Sequence, residues 1–153
     1  MNIDHLLSKR TYFQTLVGKE SAEDAIKDLG LLFLEENTKE IADLSYIRYA
    51  QGEVYFHYKD YEAAIFKWEN INNELEAWAK KNVGDAYLEL NLLAMAISTY
   101  KGIETENQLL QTEIALKLFE IYVQENNQPL AVQYIKQAVC LFPDYPNLTK
   151  TAR

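Results

Sequence analysis

Six positions of this chain recur at one spacing, and that recurrence restricts its fold more than any other feature. Gly52, Tyr55, Ala64, Ile65, Trp68 and Ile71 return 32 residues later as Gly84, Tyr87, Ala96, Ile97, Tyr100 and Ile103. A further 35 residues on, the same slots hold Phe119, Tyr122, Ala131, Val132, Ile135 and Ala138, with Pro143 closing the unit. A looser copy upstream reads Phe13, Leu16, Ala25, Ile26, Leu29 and Leu32. The step from first slot to alanine is 12 residues in all four copies, whereas the distance between copies varies. Two antiparallel helices in contact fix their internal register while the loop to the next pair is free to change length, so the unit is a helical hairpin.

Small residues at Gly52, Gly84, Ala64 and Ala96 let paired helices approach closely, and the aromatics at Tyr55, Tyr87 and Tyr122 fill the space beside them. Asp60 and Asn127 stand where they cap the helix that follows, and Pro129 is tolerable only in a first turn. Five Gly and three Pro in 153 residues are too few for the turns of an all-β fold. The pattern predicts eight helices, at about 2–17, 21–36, 40–58, 61–72, 75–90, 93–105, 107–125 and 128–141.

These residues resemble the tetratricopeptide repeat, whose signature runs aromatic, Leu-Gly, Tyr, Ala, an aromatic four residues later, and Pro. Val83-Gly84 with Tyr87, Ala96 and Tyr100 matches it, as does Gly52 with Tyr55, Ala64 and Trp68. The third unit has Tyr122, Ala131, Ile135 and Pro143 but puts Phe119 where Gly is usual. The resemblance spans residues 40–143, with a degenerate unit at 6–39. It implies an all-α fold, a right-handed superhelix or α-solenoid of about four hairpins forming one domain over 1–153, with repeats at about 6–39, 45–76, 77–108 and 112–145. Repeats of 32 and 35 residues depart from the usual 34, so loop lengths and pitch differ from the family norm. After Pro143 the sequence reads like the first turns of another helix, so the chain is expected to be the N-terminal part of a longer protein.

Charge and motif content exclude several functions. With 15 Lys+Arg against 23 Asp+Glu the formal charge is −8, which disfavours nucleic acid and anionic membrane as partners. No stretch approaches 18 apolar residues, and the N-terminus lacks a secretory pattern. Without that route, the glycosylation-type triplet at Asn147 carries no meaning. One cysteine, Cys140, rules out a disulfide framework and points to a reducing, cytoplasmic compartment. Flanked by Val139 and Leu141, it reads as a buried small hydrophobe rather than a nucleophile.

Two histidines, His5 and His57, cannot make a zinc site, and the single glycines form no phosphate cradle. The carboxylate pairs Glu35/Glu36 and Asp60/Glu62 read as solvated surface. No enzyme activity, cofactor or metal is expected.

The resemblance implies a concave groove lined by the first helix of each hairpin, where family members bind a peptide. Residues off the packing stripe, by helical spacing, are Tyr46, Tyr49, Glu53, Phe56 and His57. In the next unit they are Trp78, Lys81, Asn82, Asp85, Leu88 and Glu89, and in the third Glu113, Leu116, Lys117, Glu120 and Gln124. Tyr46, Tyr49 and Trp78 have an alternative role as packing between repeats.

Family members that hold a chaperone's C-terminal carboxylate use Lys, Arg and Asn on these helices. Here Glu53 and Glu120 stand in the way, and only Lys81 with Asn82 matches. The lining instead suits a protein or peptide segment offering Lys or Arg with an apolar anchor. The expected function is therefore a non-catalytic protein-interaction scaffold. The alternatives are a regulatory or targeting module of a larger protein with an enzyme beyond Arg153, and a self-associating homo-oligomer. Eight acidic residues between Glu20 and Asp43, against Lys27 and Lys39, form either a docking face for a basic partner or a solvated helix surface.

Overall fold

A computed structural model describes residues 21–144. Its described residues form eight helices and no strand: α1 (Ala22–Asp28), α2 (Leu31–Asn37), α3 (Ile41–His57), α4 (Tyr61–Trp68), α5 (Glu76–Glu89), α6 (Leu93–Lys101), α7 (Gln108–Gln124) and α8 (Gln128–Leu141). The expected helix at 2–17, the slots Phe13 and Leu16, His5, and the tail from 145 lie outside the described residues. The chain divides after Leu92 into two compact units. The first contains α1 to α5, and the second α6 to α8.

One expected helix is two. The stretch 21–36 breaks at Gly30, whose φ of 77° lies in the left-handed region that glycine enters without steric penalty. Helix α4 stops at Trp68 rather than running to 72, and the loop that follows is tied to α3. Ser45 Oγ accepts from the Asn72 N–H at 2.9 Å, Arg48 donates to the Asn70 carbonyl at 3.3 Å and Asn73 donates to the Ala42 carbonyl at 3.1 Å. Helix α6 ends at Lys101 rather than near 105, just before Gly102, a poor helix former.

The turns that end α3, α5 and α7 are one structure used three times. Tyr55, Tyr87 and Tyr122 carbonyls accept from the N–H groups of Asp60, Leu92 and Asn127 at 2.9, 2.9 and 2.8 Å. Phe56, Leu88 and Val123 carbonyls accept from Lys59, Asn91 and Asn126, which have φ of 64°, 59° and 58°. This is the paired bonding of a Schellman cap. Asp60 and Asn127 then cap the next helix, accepting from the N–H groups of Ala63 and Leu130 at 3.3 Å each. Lys59 holds a left-handed conformation without the tolerance of Gly or Asn. Lys59→Gly is therefore expected to stabilise the chain by about 0.5–1 kcal/mol after the added unfolded-state entropy, read as a higher urea midpoint.

The core of each unit is made of small interfaces between helices. Ala22, Ala25, Ile26 and Leu31 from α1 and α2 pack on Ile47, Ala50 and Val54 of α3. Tyr49 of α3, Ala64, Ile65 and Trp68 of α4, and Ala79, Val83 and Ala86 of α5 form the next cluster. Half-buried Tyr55 touches both. Helix α3 lies between the two, so every residue from Tyr49 to Val54 is buried. In the second unit Ala115 of α7 packs on Ile135 and Ala138 of α8.

Two sequence assignments are corrected on α8. Val132 is 41% exposed and Cys140 is exposed. The buried stripe is Ala131, Ile135 and Ala138, at helical steps of four and three, and both residues project off it.

Candidate functional site

In the first unit α3, α4 and α5 enclose a cleft of about 190 Å³. Its walls come from Glu53, Phe56 and His57 of α3, Trp68 of α4, and Lys81, Asn82 and Asp85 of α5. The sequence pattern selects six of these seven because they share the α3 and α5 faces turned away from the packing stripe. Trp68 was assigned to the core alone. It does occupy that slot, being 4% exposed, but its ring also reaches the cleft. No periodicity signals this double role, because it depends on how far an indole extends across a partner helix.

The reach of Trp68 has a local cause. A Cβ placed on Gly52 would lie 2.6 Å from Cε2 and 2.7 Å from Cδ1 of the indole, so the bare glycine is the seat of the ring. There Trp68 Nε1 donates to the Tyr49 carbonyl at 3.1 Å. Phe56 meets Trp68 at a centroid distance of 5.8 Å and packs edge-on against Tyr61 at 5.2 Å.

The polar wall is equally ordered. Lys81 Nζ and Asp85 Oδ2 are 2.8 Å apart, their side chains only 14% and 17% exposed. Asn82 Nδ2 donates to the Tyr49 hydroxyl at 2.9 Å, which makes 5%-exposed Tyr49 a support behind the wall. Glu53, 7% exposed, completes the lining from α3. At the far end of α5 Glu89 accepts from the Tyr61 hydroxyl, and burial together with that carboxylate pushes the Tyr61 phenol up.

Of the other groove candidates, Tyr46 is half-buried outside this cleft, and Trp78 packs on the α3–α5 core. Leu88 is half-buried on α5. Lys117, Glu120 and Gln124 stand on α7 in the second unit, with Lys117 and Glu120 3.9 Å apart. Glu113 is half-buried there, and Leu116 packs against the α7–α8 core.

Part of the acidic stretch before α3 is used internally. Glu35 pairs with Lys67 at 3.2 Å, and Glu23 accepts from Tyr55, whose phenol burial and these carboxylates push up. No described helix is long and apolar enough to cross a membrane. No cluster of three metal-capable side chains occurs among the described residues.

No protein-family model matches the chain, and the search of curated proteins finds no match. Among solved structures it is similar to the crystal structure of the APC/C hetero-tetramer Cut9-Hcn1, with a TM-score of 0.57 and 17% identity over 86% of this chain. The fold is that of tetratricopeptide helical-hairpin solenoids. The chain spans 28% of the matched chain, and at this identity the likeness concerns the fold. The repeated turns and the constant 12-residue step described above are what that fold requires.

Proposed function

We propose that the chain is a non-catalytic protein-interaction scaffold that takes a segment of a partner protein in the cleft of its first unit. The observation that carries this reading is the convergence of six off-stripe side chains from α3 and α5 with Trp68 around one cleft. Side chains that serve only to pack hairpins have no need to converge. The solved structure of similar fold comes from a hetero-tetramer, a setting in which hairpin arrays meet other chains. One exposed cysteine with no pairing partner in the sequence supports a reducing compartment, and we place the protein in the cytoplasm.

A displayed peptide library selected on the 153-residue chain tests the function. Selected peptides are expected to lose at least about tenfold in affinity to Phe56→Ala, the size of loss seen when an aromatic anchor is truncated. Far-ultraviolet circular dichroism should be unchanged. Peptides that bind Phe56→Ala and the unsubstituted chain equally would overturn the cleft assignment.

A further inference from the structure

Resting on that scaffold reading, we infer that the cleft is a pocket for a single arginine side chain of the partner. Its volume of about 190 Å³ suits one long side chain. Two carboxylates, Glu53 and Asp85, face one ammonium, Lys81, which is itself held by Asp85 at 2.8 Å. The lining therefore carries a net negative charge behind a low exposure to water, and an entering anion meets like charge. Asn82 lines the cleft as well, with Oδ1 as a further acceptor and one of its two Nδ2 hydrogens donated to the Tyr49 hydroxyl.

What selects among cations is the apolar wall. Phe56 and Trp68, 5.8 Å apart between centroids, give a planar group a surface to stack on and an alkyl stem a surface to lie along. A guanidinium is planar, weakly hydrated and has five donors in one fork. An ammonium is a compact, strongly hydrated point charge that cannot stack. Acceptors on one side and aromatic rings on the other fit the former.

The test uses butylguanidinium as the probe, with butylammonium and the neutral isostere butylurea as matched controls. The readout is the Trp68 indole N–H resonance of the full chain, assigned with Trp68→Phe. Butylguanidinium is expected to shift that resonance saturably, butylammonium to bind at least about threefold more weakly, and butylurea to leave it in place at equal concentration. The isosteric Glu53→Gln should weaken butylguanidinium by about tenfold, the loss of a charge-assisted contact. Asp85→Asn, on a more exposed side chain, supplies the same readout if Glu53→Gln does not fold. Binding of butylurea equal to that of butylguanidinium, or tighter binding of butylammonium, overturns the inference. Library peptides that need Phe56 yet contain no arginine overturn it while the scaffold reading stands. Peptides that bind without needing Phe56 overturn the cleft assignment, and a library that yields no binding peptide overturns the scaffold reading itself.

Discussion

Trp68→Ala is expected to destabilise the chain by about 3–5 kcal/mol, the range for removing a large buried aromatic and leaving a cavity. Its indole is 4% exposed, sits on Gly52 and touches Tyr49 and Phe56, so no single neighbour can collapse into the space. The hydrogen bond to the Tyr49 carbonyl is the smaller part, because a helical carbonyl keeps its own intrahelical donor. Trp68→Phe should therefore cost about 1–2 kcal/mol, less than half the alanine effect. Two residues away, Phe66 is 66% exposed, and Phe66→Ala should fall within about 0.5 kcal/mol of the parent. Urea unfolding followed by circular dichroism separates these cases. Equal midpoints for Trp68→Ala and Phe66→Ala would show that the ring is not seated as described.

Gly52→Ala is expected to destabilise as well, by about 2 kcal/mol, although alanine is the better helix former. Propensity alone favours Ala over Gly by about 1 kcal/mol inside a helix such as α3. Against this, the new methyl would lie 2.6 Å from Cε2 of an indole already held by its N–H, and the fused ring cannot bend aside. Overpacking of this kind costs about 1–3 kcal/mol, and more when the neighbour is rigid. The cause can be isolated by a double-mutant cycle. In a Trp68→Leu background the methyl has room, and Gly52→Ala should become neutral or stabilising by up to about 1 kcal/mol. A penalty that persists in that background would place the strain elsewhere.

Much of the fold was legible because hairpin packing imposes residue type at fixed intervals. Gly52, Ala64 and Trp68 give a small residue, a small residue and a ring where α3 and α4 pack, and the sequence repeats that choice at Gly84, Ala96 and Tyr100. The caps were legible where a side chain makes them, as at Asp60 and Asn127. The break at Gly30 was not, because an isolated glycine is tolerated within a helix and only its φ shows that the chain turns there. Nor was the end of α4, whose loop is held by Ser45, Arg48 and Ala42 far back in the chain. Cys140 and Val132 were misread for a related reason. Apolar neighbours in sequence do not reveal which side of α8 is covered, and both residues stand off the buried stripe.

For the cleft, helical spacing determined which residues of α3 and α5 face away from the packing stripe, since an angle of 100° per residue is a local property of the backbone. The acidic, aromatic character of that face follows from composition at those positions. Which of these side chains meet was decided by tertiary structure. Glu53, Phe56 and His57 join Lys81, Asn82 and Asp85 because α4 holds α3 and α5 at one separation, and Trp68 enters because Gly52 yields the space for its ring. Tyr49, a groove candidate by spacing, became a buried support whose hydroxyl positions Asn82. Periodicity specifies direction from a helix axis, whereas a site needs distance between axes, and for α3 and α4 that distance is set where the Trp68 ring closes on the bare backbone of Gly52, 16 residues away.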